Sequence, residues 1–225
     1  MIFQNGWFPV GVVMAAWPVL LVIFALCAKQ AWVSVSQHRS AFLLAAVMLP
    51  LAWSLNASPE SGQLAGMSYH LLALNLTALM LGTSAAFCLG VLLFFPYLWL
   101  WGDWHMFPIN ALSVLLPPLL VNLGFRHWVS CLPANIFIFI FLNGFWAAAV
   151  GMVFTGVVLV SLLDWADVFD TTVLWKTAFP VFFLIAWAEA FLSGISTAIF
   201  IALKPQWICT FDDGRYLKSV PKIWQ

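Results

Sequence analysis

Imidazole and carboxylate side chains are scarce in this chain, so each one set in or beside apolar sequence invites a chemical reading. His70 follows Gly66-Met67-Ser68-Tyr69 and precedes Asn75 and Thr77. A ring nitrogen placed there either ligates a transition metal or caps a helix at the membrane surface. Asp103 and His105 lie in Gly102-Asp-Trp-His-Met-Phe-Pro-Ile-Asn110, where they either attract cations or form a solvated turn. Glu189 is the one carboxylate inside an apolar run, Ile185-Ala-Trp-Ala-Glu-Ala-Phe-Leu-Ser193-Gly194. An ionisable group at such a position is a functional candidate, with a neutral or amide-paired structural role as the alternative. Asn110, Asn122, Asn135 and Asn143 stand in or beside apolar segments and must be hydrogen-bonded, most simply as glue between helices. Asn75, Thr77, Asp103, Asn110 and Glu189 are thus the candidates for a substrate path. Asp164, Asp167 and Asp170 recur every third residue and either collect cations or make a solvated acidic loop.

Other chemistries are absent. No two histidines face each other within an apolar run, as membrane haem ligation requires. There is no Walker A motif, so this chain does not itself hydrolyse ATP. An intramembrane serine nucleophile at Ser193 would need a membrane-embedded histidine base, and all four histidines lie at span ends or in loops. Cys27, Cys88, Cys131 and Cys209 are widely spaced and form no CxxC pair, so neither a disulfide framework nor a thiolate metal site is expected. The reading is not that of an enzyme, and no permanently bound cofactor is implied.

The elements that must position these residues follow from composition. Of 225 residues, 64% are hydrophobic and 7% charged, with a mean hydropathy of +1.03. Soluble chains are about 45–50% apolar and about 25% charged. That excludes a soluble enzyme, a nucleic-acid binder with a basic face and a disordered linker. A spanning helix takes roughly 20 apolar residues. The first apolar run lacks the basic start and small-residue cleavage site of a signal peptide, so it is expected to remain as a helix. Apolar runs broken by charge and turn residues predict spans near 9–28, 40–55, 70–82, 85–101, 109–125, 136–163 and 179–203. The third is too short to cross a core of about 30 Å alone, so its neighbourhood must be buried in protein or line a cavity.

Charge orients the array. Lys29, Arg39, Arg126, Lys204, Arg215, Lys218 and Lys222 fall on one side, with Lys176 opposite. The positive-inside rule makes the first side cytoplasmic. The expectation is an all-α polytopic membrane protein of about seven transmembrane helices, N-terminus outside and C-terminus cytoplasmic. A transmembrane domain over 1–205 would carry a cytoplasmic tail over 206–225. Trp99, Trp101, Trp104, Trp128, Trp165, Trp175 and Trp207 cluster at span ends, as interfacial anchors do.

The run His70-Leu-Leu-Ala-Leu-Asn-Leu-Thr-Ala-Leu-Met-Leu-Gly82-Thr-Ser-Ala-Ala resembles the CbiM/NikM family. These are the substrate-capture membrane subunits of cobalt and nickel energy-coupling-factor ABC transporters. Gly102-Asp103, Asn110-Ala111, and Glu189-Ala190 with Ser193 and Gly194 match further family motifs, and the likeness extends over roughly 1–205. It implies a seven-span permease subunit in a bacterial inner membrane, partnered by a T-component membrane protein and two ABC ATPases. It also implies that His70 and the N-terminal residue Met1 hold a captured Co²⁺ or Ni²⁺ ion. Family members begin Met-His-Ile, whereas this chain begins Met1-Ile2-Phe3, so the second-position imidazole is missing. Met1, Met67, Met106 or His105 would then complete the ligand set for a softer ion, or the fold serves another solute, such as a vitamin. A membrane assembly factor outside transport is the remaining alternative.

Overall fold

The computed structural model describes residues 2–58 and 67–216. Helix α1 (Val10–Gln37) keeps Pro18 within it, and a single residue, His38, separates it from α2 (Arg39–Ser54). The sequence predicts a polar connection beginning at Lys29. Instead the helix runs on, because long polar side chains such as Lys29 and Gln30, both exposed, reach water from a helical backbone without breaking it.

A two-residue strand β1 (Asn56–Ala57) then pairs antiparallel with β2 (Tyr69–His70), setting Asn56 opposite His70. Ala73, in the left-handed region at φ 53°, turns the chain into α3 (Leu74–Leu81), a helix of only eight residues. Gly82, at φ 82°, lets α4 (Thr83–Trp101) begin at once in a new direction. Glycine populates that region without steric cost. After a 3₁₀ turn at Trp104–Met106 come α5 (Phe107–Ser130), α6 (Ile136–Trp165) and α7 (Thr171–Leu203). Each of the last two contains a π-helical stretch, Phe139–Trp146 in α6 and Leu174–Ala178 in α7. The chain closes with a 3₁₀ turn at Pro205–Trp207 and a short helix α8 (Asp213–Tyr216).

Among the described residues, five helices (α1, α4, α5, α6 and α7) are long and apolar enough to cross a membrane; α2 has 16 residues and is shorter. The protein is an all-α polytopic membrane protein. Its periphery is apolar: Val10, Leu26, Leu43, Leu184 and Leu203 are exposed, as a lipid-facing surface requires. Trp99, Trp128 and Trp165 are exposed at helix ends, where amphipathic rings favour the interface.

Small residues bring the helices together. Gly156 of α6 faces Phe182 of α7 so closely that an added Cβ would lie 2.5 Å from the ring. At Gly144 the same atom would meet Thr197 at 3.2 Å, and at Gly151 it would meet Pro118 at 3.2 Å. Without a hydrophobic driving force between helices in lipid, such close backbone approach supplies the packing energy. Gly156→Ala is therefore expected to destabilise the protein by about 1–3 kcal/mol through overpacking. The melting temperature in detergent should drop. Gly124→Ala, where nothing lies within 4 Å of the added atom, should leave it unchanged.

Candidate functional site

Helix α3 is the centre of the site. All eight of its residues are buried, yet its length leaves both ends inside the structure. A helix end leaves up to four backbone groups without intrahelical partners, and at this depth no bulk solvent can take them. Other elements do. Glu189, from α7, accepts the backbone N–H of Leu72 and the N–H of Ala73, the latter at 3.0 and 3.2 Å to its two oxygens. Trp53 Nε1 of α2 donates to Leu72 O at 3.1 Å, and Thr77 Oγ1 donates back to Ala73 O at 2.9 Å. At the other end Ser34 Oγ of α1 donates to Leu81 O. Cys209 N donates to Met80 O, and the N–H and hydroxyl of Thr210 donate to Leu79 O. Glu189 thus holds, from another helix, the two residues that lead into α3, and Thr77 closes the first turn.

His70 stands just before the residues that Glu189 holds. It is 2% exposed, and its Nδ1 lies 3.0 Å from Leu71 O. A carbonyl oxygen only accepts, so Nδ1 carries the proton and Nε2 keeps its lone pair. Among the described residues that Nε2 is buried without a hydrogen-bond partner. Tyr97 holds the ring edge-to-face at 5.8 Å, and Tyr97 is itself fixed by its hydroxyl on Trp53 O at 3.1 Å. An imidazole whose Nδ1 is oriented by a carbonyl and whose Nε2 keeps its lone pair has the arrangement of a metal-ligating histidine.

The N-terminal segment folds into the protein. Asn110 grips Phe3 on both sides: its Oδ1 accepts Phe3 N at 2.7 Å and its Nδ2 donates to Phe3 O at 3.0 Å. Ile2 and Phe3 are buried, Ile2 standing where the family motif places an imidazole. Met1 lies outside the described residues. A cavity of about 440 Å³ beside this segment is lined by Ile2, Gln4, Asn5, Ser68 and Asp103, among others. His105 turns away to the surface, with its ring nitrogen 2.8 Å from Asp103 Oδ1 and its side chain 59% exposed. Asp103 also accepts His105 N at 2.9 Å, so the pair forms a turn at the start of α5. Met67 and Met106 are buried. Among the described residues no three of His, Cys, Asp and Glu converge as a metal cluster.

Asn75 anchors α3 to its neighbours. Its Nδ2 reaches Asn143 O at 2.9 Å, Gly144 O at 3.2 Å and Ser193 Oγ at 2.8 Å. Its Oδ1 accepts Asn122 Nδ2 at 2.7 Å. Both carbonyls belong to the π-helical stretch of α6, where the i→i+4 ladder is interrupted. Asn110 therefore ties down the N-terminus, while Asn75, Asn122 and Asn143 join α3, α5 and α6. Asn135 instead caps α6 at its exposed start. Trp53, Tyr97, Ser34 and the 208–210 segment contribute to the site with no sequence motif to mark them. Apart from Trp53, whose indole reaches Leu72, they act across more than 25 intervening residues, as does Glu189.

Removal of the carboxylate provides the test. Glu189→Ala leaves the N–H groups of Leu72 and Ala73 buried and unpaired, at about 1–3 kcal/mol each. Thermal melting in detergent should fall sharply for Glu189→Ala. Glu189→Gln keeps an acceptor oxygen and should hold most of the stability; equal losses in the two variants would remove this role of Glu189.

A search of curated proteins finds no match to this chain. Among solved structures, a crystal structure described as a truncated transition metal transporter superposes with a TM-score of 0.75 at 14% identity, over 91% of this chain and 99% of that one. At that identity the likeness is one of fold. The sequence profile of the family described as the cobalt uptake substrate-specific transmembrane region, CbiM, matches residues 3–207. Covering nearly the whole chain, that match places the protein in the CbiM family, as a transporter component and not an enzyme.

Proposed function

We propose that the protein is the substrate-capture subunit for a transition metal cation, of the cobalt or nickel type, in an energy-coupling-factor ABC transporter. The carrying observation is the buried Nε2 of His70, without a hydrogen-bond partner among the described residues, on a ring oriented through Nδ1 by Leu71 O, in a member of a family described by cobalt uptake. Imidazole suits first-row transition metals, and a sulfur donor added to the set would shift preference towards softer ions. The N-terminal segment, held by Asn110, lines one cavity with Ser68, two residues before His70, so the amine and thioether of Met1 are the natural further donors. Asn75, Thr77 and Glu189 serve by fixing α3 and the His70 backbone. Asp103 lines the adjoining cavity and would draw a cation towards it.

In this reading the chain captures its cargo from outside the cell. A T-component membrane protein and two ABC ATPases, which bring the nucleotide chemistry this chain lacks, drive release inside a bacterial inner membrane. The basic bias of the connections sets the N-terminus outside and the C-terminus in the cytoplasm.

Elemental analysis of gently purified protein tests the assignment. One equivalent of Ni, Co, Cu or Zn is expected to co-purify with the parent chain. His70→Ala should weaken that metal's binding by roughly 100-fold or more, since loss of even outer-shell partners costs 10–100-fold. Cellular uptake of the same ion should fall with it. Metal-free protein that carries an organic solute would overturn the cation assignment in favour of a vitamin-type capture subunit. That alternative draws on Ile2, whose buried side chain offers no ligand where the family motif has one.

A further inference from the structure

A cavity of about 650 Å³ opens at the other end of α3 from His70, between α1, α4 and α5. Its polar lining includes Lys29, Gln30, His38, Thr83, Ser84 and Arg126, and no Asp or Glu is among the described residues that line it. Arg126 is half-buried there, with one of its five donors on Thr83 Oγ1 at 3.4 Å. Ser84 Oγ is held on Gln30 Oε1 at 2.8 Å. The cavity also receives the start of α4. No side chain caps this helix, and its first backbone bond is from Ala86 N to Gly82 O. The N–H groups of Thr83, Ser84 and Ala85 therefore have no acceptor within the helix. Two cations, an imidazole, three hydroxyls and a helix N-terminus thus surround one space, with no acid among the described lining residues to balance them.

What borders the cavity identifies the form of the anion. Val33 of α1 and Leu123 of α5 line it and are exposed. Leu26 on α1 and Leu120 on α5 continue that apolar surface one to two turns further along, also exposed. A polar, cationic space with an apolar collar on lipid-facing helices matches a phospholipid: phosphate inside, acyl chains along the collar. An acidic peptide would satisfy the cations but not the collar. Basic spaces between transmembrane helices take anionic headgroups on the same physical grounds.

We propose that this cavity is a specific site for the phosphate headgroup of an anionic phospholipid, held by Lys29, Arg126 and the N-terminus of α4. The site is separate from cation capture at His70 and stands or falls independently of it.

Native mass spectrometry of the full chain released from nanodiscs tests the proposal, with phosphatidylglycerol titrated against phosphatidylcholine of identical acyl chains. One phosphatidylglycerol should be retained in preference to phosphatidylcholine. Each cation removed, in Lys29→Gln and in Arg126→Gln, should weaken retention roughly fivefold, the equivalent of ~1 kcal/mol per basic residue. Arg39→Gln and Lys204→Gln, basic residues outside the cavity, should change nothing. Lys29 is exposed on α1, so its variant keeps the test decisive even if Arg126→Gln fails to fold. Equal retention of the two lipids, or retention unaffected by Lys29→Gln, overturns the proposal. Displacement of the lipid by millimolar inorganic phosphate would assign the site to a free anion and overturn the lipid assignment.

Discussion

An eight-residue helix that ends inside a membrane protein must have its loose backbone groups satisfied by something other than solvent, and much of this structure serves that need. In hydrocarbon each unpaired N–H or C=O costs several kcal/mol. Glu189 and Trp53 serve one end of α3; Ser34, Cys209 and Thr210 serve the other. These partners come from α1, α2, α7 and the segment after α7. The short helix therefore acts as a common anchor: satisfying it fixes the relative positions of elements that span most of the chain. The close glycine contacts between α6 and α7 permit Glu189 to approach at the right depth.

The same constraint explains why the polar residues divide by role. Glu189 looks like an unpaired charge in an apolar run, but its oxygens are engaged by two backbone donors. Asn75 is saturated by three acceptors and one donor, two of those acceptors being carbonyls released by the π-helical stretch of α6. Such stretches recur where a helix must present backbone groups sideways. Among the described residues three buried side-chain atoms keep no hydrogen-bond partner, His70 Nε2, Asn122 Oδ1 and Asn143 Oδ1, and of these only the imidazole nitrogen suits a first-row transition metal.

The segment after α7 belongs to the folded body. Ile208 and Phe211 are buried, Tyr216 stacks on Phe211 with ring centroids 5.1 Å apart, and Arg215 donates to Ser130 O and Leu132 O at the end of α5. Satisfying the last carbonyls of α3 and α5 from this segment closes the bundle at the end opposite His70.

Composition and the spacing of apolar runs were enough to establish the class of the protein, the approximate bounds of its helices, and His70 and Glu189 as the residues to explain. The reason is that membrane solvation acts on each segment locally: twenty apolar residues form a helix whatever their neighbours, and a rare charge stands out against them. The continuation of α1 beyond Lys29 was not legible, because a snorkelling lysine and a loop lysine leave the same sequence signature. Nor was the role of Glu189, nor the inward anchoring of the chain start by Asn110. His105, plausible as a ligand by its place in the chain, points to the surface and pairs with Asp103. Those outcomes depend on which groups meet across intervals of up to 117 residues, and pairings at that distance are decided by three-dimensional packing alone. Sequence identified the scarce polar groups; tertiary structure decided that Glu189 secures the entry to a short buried helix and that His70 keeps an Nε2 with no partner among the described residues.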